Sequence, residues 1–217
     1  MIIGINGKIG AGKDTVGTII QELLLTNKNQ SSEIKKFAGK LKQIGSILTG
    51  IFVEKFEDQE FKKSHLGSEW GTVRSNPLNA VPVFENVQFN ELMSVREFLQ
   101  KLGTEAMRNG LHTNVWVNAL FADYKMSYIQ HPDIEYVDHK AYPNWIITDM
   151  RFPNELEAVI KKGGITIRVV RPGTVTGEHP SETALDNTTF DYEIINDGTM
   201  EELVKKVKEI LIQENYI

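Results

Sequence analysis

The sequence predicts an α/β fold, a five-stranded parallel sheet with helices on both faces that makes a three-layer sandwich. Three observations lead there. An apolar run at residues 2–6 breaks into glycines and passes straight into a pattern with Val16, Ile19, Ile20, Leu23 and Leu24 on one helical face. Four more short apolar runs, at 34–38, 145–149, 165–170 and 192–195, alternate with helical or loop segments, which implies parallel strands joined by right-handed crossovers. Polar and charged residues, Asp149, Arg171 and Asn196 among them, close these runs at a shared carboxyl edge.

The first of these segments carries the chemistry. Gly7 to Lys13 has the spacing G-x-x-x-x-G-K. In that pattern backbone N–H groups turn inward around phosphate oxygens and the lysine brings positive charge to the β- and γ-phosphates. The following helix N-terminus adds unpaired N–H groups and the positive end of its dipole. Asp14 stands where a Ser or Thr hydroxyl usually meets Mg²⁺, and Thr15 comes one residue late. A glycine turn with an incidental lysine is the bland alternative; strand before, helix after and spacing favour a phosphate loop.

Composition narrows the classes. At 217 residues the chain has room for a sizeable core, as one domain with an insertion or as two. A net charge of −5 argues against a surface built for nucleic acid, although a local basic cleft still suits a small phosphorylated ligand. With no cysteine, disulfides, thiolate nucleophiles and Cys-based zinc sites are excluded. His65, His112, His131, His139 and His179 lack metal-ligand spacing. No apolar run approaches the roughly 18 residues of a membrane span. The chain starts in a strand and not in a leader, so a soluble intracellular protein is expected, with no membrane or nucleic-acid partner.

The remaining elements follow in order. Phe37-Ala38-Gly39-Lys40-Leu41-Lys42 leads from the second strand into a helix with Leu41, Ile44, Ile47 and Leu48 on one side. Lys40 and Lys42 oppose the helix dipole there by about a few tenths of a kcal/mol, so each points to solvent, the favoured reading, or meets an anion. Residues 51–93 carry Phe52, Phe56, Phe61, Trp70, Phe84 and Phe89 without a period, broken by Pro77 and Pro82. This segment is expected to be a partly helical insertion with a short hairpin around 81–89. Ser94 to Glu97 is a capping box opening a helix that buries Val95, Phe98, Leu99 and Leu102, with Arg96 and Gln100 on a polar face. Gly103-Thr104-Glu105 is expected to interrupt it before Arg108 and the apolar pattern of Trp116, Val117, Leu120, Phe121 and Tyr124. Arg96 and Arg108 are either site residues or ordinary helix-face cations. Residues 128–144 read as a loop.

Trp145 to Thr148 is a short strand ending in Asp149, which is placed to hold Mg²⁺ through water, to orient a substrate group, or simply to pair with Arg151. Pro153 suits the first turn of a helix that buries Leu156, Val159 and Ile160 and stops at Gly163-Gly164. Beyond the strand at 165–170, residues 173–189 form a polar loop, either a lid beside the phosphate site or an ordinary surface loop. Thr199 with Glu202 is a second capping box, opening a final helix that buries Met200, Leu203, Val204, Val207, Ile210 and Leu211.

On these residues the chain resembles the deoxynucleoside monophosphate kinases of tailed bacteriophages, a branch of the P-loop nucleoside monophosphate kinases. Six blocks in one order carry the resemblance: Gly12-Lys13-Asp14-Thr15; Phe37 to Lys42; Arg96 to Glu105 with Trp116-Val117; Thr148-Asp149-Met150-Arg151 with Glu155; Val170-Arg171-Pro172-Gly173 with His179 and Glu182; and Asn196-Asp197-Gly198. Residues 51–93 have no dependable match. The resemblance implies a single P-loop kinase domain over 1–217, strand order 2-3-1-4-5, a monophosphate-binding insertion, a lid at 173–189, and a homodimer. A phage-encoded chain would act in the host cytoplasm.

The implied activity is transfer of the γ-phosphoryl of ATP to a deoxynucleoside monophosphate (dNMP). By resemblance Gly10, Ala11, Gly12, Lys13, Asp14 and Thr15 would cradle ATP, with Thr15 on the phosphates or in the Mg²⁺ shell and no other direct metal ligand. Asp14 would turn away or touch the acceptor side. Arg171 and Asn196 would lie near the purine or phosphates. Lys42, Arg96 and Arg151 would neutralise the acceptor phosphate, and Lys13, Arg96 and Arg151 would form the catalytic set, converging on one cleft. Gln100, Gly103, Thr104, Glu105 and Trp116 would line the nucleoside pocket. Asp149 would act on sugar, base or metal water, with Glu155 also on the substrate side. The alternatives are a P-loop kinase of another metabolite, of the dephospho-coenzyme A or phosphomevalonate type, and a non-catalytic nucleotide-binding protein.

Overall fold

Five apolar segments pair in parallel: β1 (Ile2–Gly7), β2 (Glu33–Lys35), β7 (Trp145–Ile147), β8 (Ile165–Val170) and β9 (Tyr192–Ile195). They belong to a computed structural model that describes residues 1–73, 89–128, 140–174 and 180–217. Two short antiparallel pairs account for the other labels, β3 (Thr72–Val73) with β4 (Phe89–Glu91) and β5 (Ser127–Tyr128) with β6 (Lys140–Ala141). The sheet order is β2-β7-β1-β8-β9; counted among these five strands alone it reads 2-3-1-4-5. The helices are α1 (Lys13–Lys28), α2 (Gly39–Thr49), α3 (Val95–Gln100), α4 (Val115–Phe121), α5 (Pro153–Lys161), α6 (Pro180–Thr183) and α7 (Met200–Gln213). None of the described helices is long and apolar enough to cross a membrane.

The chain divides into two compact units, one of residues Met1–Gly39 with Trp116–Ile217 and one of Lys40–Val115. In the first, strand alternation sorts side chains to two faces. Ile3 and Ile5 of β1 join Ile146, Ile165, Ile167, Val169 and Ile194 against Val16, Ile19, Ile20 and Leu24 of α1 and Leu203, Val207, Ile210 and Leu211 of α7. Gly4 points the other way. A Cβ there would meet Met150 Sδ and the Val159 methyls at 3.2 Å, so the missing side chain lets α5 pack close. Helices thus cover both faces of a central sheet whose inner strands β1 and β7 carry its apolar centre.

Several expectations are corrected. The second strand is Glu33–Lys35 and not 34–38, because both oxygens of Asp149 accept the N–H groups of Phe37 (2.7 Å) and Ala38 (2.9 Å) and turn the backbone out of the sheet. Ile160 and Met200 are half-exposed, at 51% and 55%. Ile160 lies about 100° around α5 from buried Val159, and Met200 is in the first turn of α7, ahead of its buried stripe. Within 128–144 the described Lys140–Ala141 is a strand, not loop, because it pairs with Ser127–Tyr128.

The second unit has its own core of Phe56, Leu66, Val95 and Phe98, with Ile51, Phe61, Trp70, Met93, Leu99 and Leu102 packed around it. Here lies the order in the segment without period. Short 3₁₀ turns at Val53–Glu57, Phe61–Lys63 and Ser68–Trp70 deliver one aromatic each, and Trp70 meets Phe98 edge-on at 5.1 Å. Phe52 remains 78% exposed. Phe84 and the hairpin expected around 81–89 fall outside the described residues, Phe89 excepted. On α2 the apolar stripe is rotated from expectation. Ile47 and Leu48 are exposed, and Lys42 and Gly45 are buried, because the Gly45 side of α2 faces Leu99, Phe98 and Phe56, which a Cβ there would meet at 3.5–3.6 Å.

The capping box of α7 forms, with Thr199 and Glu202 bonding reciprocally, and at α3 the N-cap half is present, with Ser94 Oγ accepting the N–H of Glu97 at 3.1 Å. Gly103-Thr104-Glu105 does not interrupt the helix it follows; Lys101–Asn109 continues α3 as a π-helix. Ile146, fully buried in β7, tests the sheet core. Ile146→Ala is expected to lower the unfolding free energy by about 2–5 kcal/mol, read as a shifted urea midpoint at unchanged slope.

Candidate functional site

Parallel pairing of β1 with β7 and β8 brings the ends of all three strands to one edge. From β1 the chain enters a loop in which Gly10 (φ 81°) and Gly12 (φ 99°) take left-handed backbone, a conformation glycine adopts without a Cβ clash. The loop closes on itself. Ala11 N–H donates to Lys8 O at 3.1 Å, and Lys13 Nζ donates to the same oxygen at 2.9 Å. Helix α1 then starts at Lys13 with no side-chain cap, so its first-turn amides face the loop as anion donors.

Asn196, expected beside the purine or phosphates, works on the loop. Its N–H donates to Val170 O at 2.7 Å and its side-chain amide to Ala11 O at 2.9 Å. A Cβ on Gly12 would come within 2.6 Å of that amide, a second reason for glycine there. Asp14 is exposed but engaged: Oδ1 accepts Thr148 Oγ1 at 2.6 Å and pairs with Lys36 at 3.3 Å. Burial alone would raise its carboxyl pKa, but the Thr148 hydroxyl and the Lys36 and Lys13 charges outweigh it and hold the group below the usual range. Thr15, also exposed, follows on the first turn.

At the end of β7, Asp149 and Arg151 each engage another part of the first unit. Asp149 holds the Phe37–Ala38 backbone, and the Arg151 guanidinium donates to Glu182. Asn6 Nδ2 donates to Met150 O at 2.8 Å and fixes the turn between them. Glu155, expected on the substrate side, is 2% exposed and accepts the N–H groups of Arg151 (2.8 Å) and Phe152 (3.1 Å), which ties down the start of α5. Arg171 is exposed and its carbonyl closes the turn to Thr174. A small hollow lies among Asn6, Gly7, Lys8, Arg151, Glu182 and Asp186, with Leu185 at its wall.

So Lys13, Asp14, Thr15, Asp149, Arg151, Arg171 and Asn196 share the carboxyl edge of the first unit, while Glu155 and Trp116 (5% exposed) are packed inside it. Lys42, Arg96, Gln100, Gly103, Thr104 and Glu105 belong to the second unit. There Lys42 is 8% exposed and pairs with Glu57 at 2.5 Å, so of the two readings for that lysine the anion is correct and solvent is not. Arg96 donates to Gln59 Oε1 at 3.2 Å. Gly103 is buried where a Cβ would meet Leu41 at 2.8 Å. Arg108 is buried and donates to Thr113 O at 3.4 Å. His179 and the residues beside it, 175–179, lie outside the described set.

Sequence reasoning passed over Lys8, Lys36, Thr148 and Asp186. The signal for two of them was present: an aspartate in a phosphate loop needs its charge answered, and Lys36 and Thr148 stand just past the ends of β2 and β7.

Lys13 carries the main electrostatic cost. Its ammonium is 9% exposed, and its pKa is pulled down to about 8, first by burial and then by the Arg151 charge, against the opposing pull of Asp14 and Asp149. An unfolded lysine titrates near 10.4, so the unfolded chain holds the extra proton between about pH 8 and that value, and this residue's share of stability rises with pH across the window. Polyphosphate favours the charged form. Binding of ATP at pH 8 is therefore expected to take up about half a proton at this residue, with affinity weakening by up to about tenfold per unit at higher pH. Calorimetry in buffers of different ionisation enthalpy reads the uptake; net proton release contradicts it.

The chain matches the sequence model of a family described as deoxynucleotide monophosphate kinase over residues 77–207. It is similar to the deoxynucleotide monophosphate kinase of Enterobacteria phage T4, 26% identical over 97% of this chain and 98% of that protein. It is 23% identical to the deoxynucleoside-5'-monophosphate kinase of Escherichia phage T5 over 90% and 89% of the two chains. The deoxynucleotide monophosphate kinase of Escherichia phage RB69 is 37% identical over 56% of this chain, an alignment that spans 46% of that protein.

Proposed function

We propose that this chain, which belongs to the deoxynucleotide monophosphate kinase family, transfers the γ-phosphoryl group of ATP to the phosphate of a dNMP, giving ADP and the deoxynucleoside diphosphate. The observation that carries this reading is the buried Lys13 ammonium presented by a glycine loop beside the uncapped start of α1. A cation is desolvated at such cost where an anion comes to meet it.

Phosphoryl transfer asks little covalent chemistry of the protein. Two polyanions must be aligned, their mutual repulsion neutralised, and water kept out. The amides of residues 10–15 and Lys13 take the donor phosphates. Asp14, held by Thr148 and Lys36, keeps its charge away from them. Thr15 is the protein oxygen for the Mg²⁺ shell, and the donor set fits an ion that arrives on the phosphates: among the described residues no group of three or more His, Asp or Glu is placed to hold a metal. When bound, the ion screens the β- and γ-phosphate charge.

On the acceptor side, the Arg151 guanidinium neutralises the monophosphate by virtue of its planar fork of donors. No general base is needed, because the acceptor phosphate is already ionised at neutral pH.

A coupled ADP assay with Mg-ATP and a panel of dNMPs and NMPs is expected to show turnover with at least one dNMP. Lys13→Ala is expected to lower kcat by on the order of a hundredfold or more while the melting temperature holds or rises. Wild-type turnover in that variant removes Lys13 from the mechanism.

A further inference from the structure

Arg151 leaves the end of β7 and its Nη1 donates to Glu182 Oε1. The Glu182 side chain is 8% exposed and that of Arg151 31%. A carboxylate at that depth stays ionised only against a cation, and a guanidinium so paired loses its freedom to swing. Which partner sets the position of the other depends on what else holds each of them.

Glu182 is held by its own segment, through contacts that do not involve Arg151. Lys8 Nζ donates to the Glu182 carbonyl and to the Asp186 carboxylate. Leu185 is 3% exposed. From β8, the Arg168 guanidinium donates to the carbonyls of Leu185 and Asp186 and lies over the Phe190 ring at 4.3 Å. The carboxylate therefore stands on a platform fastened both to the phosphate loop and to the central sheet. We propose that Glu182 is the positioning residue for Arg151: it aims the guanidinium that meets the acceptor phosphate, an assignment that rests on the acceptor role given to Arg151 above.

The competing account makes Glu182 a stand-in for phosphate, a carboxylate that the incoming anion displaces. The platform argues against it. A displaced Glu182 would leave a buried carboxylate without its cation, or would carry 182–186 away and break the Lys8 and Arg168 contacts with it. The two accounts give opposite signs. Neutralising a positioning carboxylate weakens use of the acceptor, and neutralising a competitor strengthens it.

The test begins with wild-type enzyme, Mg-ATP and the dNMP panel. Absence of any dNMP turnover overturns the functional reading itself, independently of Glu182. With turnover established, Glu182→Gln is expected to lower kcat/KM for the dNMP by about ten- to a hundredfold, with KM for ATP within about twofold of wild type. In an Arg151→Ala background the same change is expected to cost less than about twofold, because a residue that acts through Arg151 has nothing left to act on. Unchanged kinetics, a lower dNMP KM, or the full loss persisting without Arg151 each overturn the proposal. If Glu182→Gln does not fold, a crystal structure of the wild-type chain with dNMP decides: the Arg151–Glu182 contact is retained if the proposal holds and broken if Glu182 is a competitor.

Discussion

Parallel registration of three strands is the constraint from which the rest follows. Ile2 pairs opposite Trp145 and Gly7 opposite Val169, so β1 and β8 end nearly level and β7 stops opposite Gly4 at the same edge, and each end releases a different kind of group. Glycines and Lys13 follow β1, Asp149 and Arg151 follow β7, and Arg171 follows β8. The apolar face that Ile3, Ile5, Ile146, Ile165, Ile167 and Val169 bury against α1 and α7 fixes the register, since slipping a strand by one residue would turn those side chains to the opposite face. The site is thus positioned by hydrophobic packing that it does not itself contain.

Charge is then balanced locally at that edge. Asp14 is answered by Lys36, Arg151 by Glu182, Lys8 by Asp186, and Asp149 by two main-chain N–H groups. Lys13 differs in kind. Its ammonium donates to a carbonyl oxygen, a neutral acceptor, and burial, with the Arg151 charge behind it, depresses its pKa. The protein spends stability on one ammonium and stabilises the surrounding charges around it, which keeps the phosphate-facing charge localised on a rigid loop.

How much of this was legible in the sequence depended on whether the controlling interaction was local. The sheet strands, the phosphate loop and the helix caps are short-range patterns: Thr199–Glu202 forms the full box and Ser94–Glu97 its N-cap half, as spacing alone allows. The second strand came out too long because its end is set by Asp149, more than a hundred residues away. The stripe on α2 was misread for a related reason. Periodicity ranks Ile47 and Leu48 above Gly45, yet it is the Gly45 side of α2 that faces Phe56, Phe98 and Leu99 and takes Lys42 inside with it. In the candidate site, Lys13 and Arg151 were visible from motif and strand position, whereas the tasks of Glu155 and Asn196 inside the fold depend on main-chain partners that no spacing reveals.

The π-helix at Lys101–Asn109 has a consequence for any alignment of this region. Its wider winding accommodates extra residues per turn relative to an α-helix, so positions before and after it are not related by a simple 3.6-residue wheel. A π turn holds one residue more than an α turn, so removing one residue between 101 and 109 would let that turn rewind as ordinary α-helix while the residues beyond it keep their direction. The buried place from which Arg108 reaches Thr113 is therefore kept by the winding of the segment and not by the spacing of its residues alone.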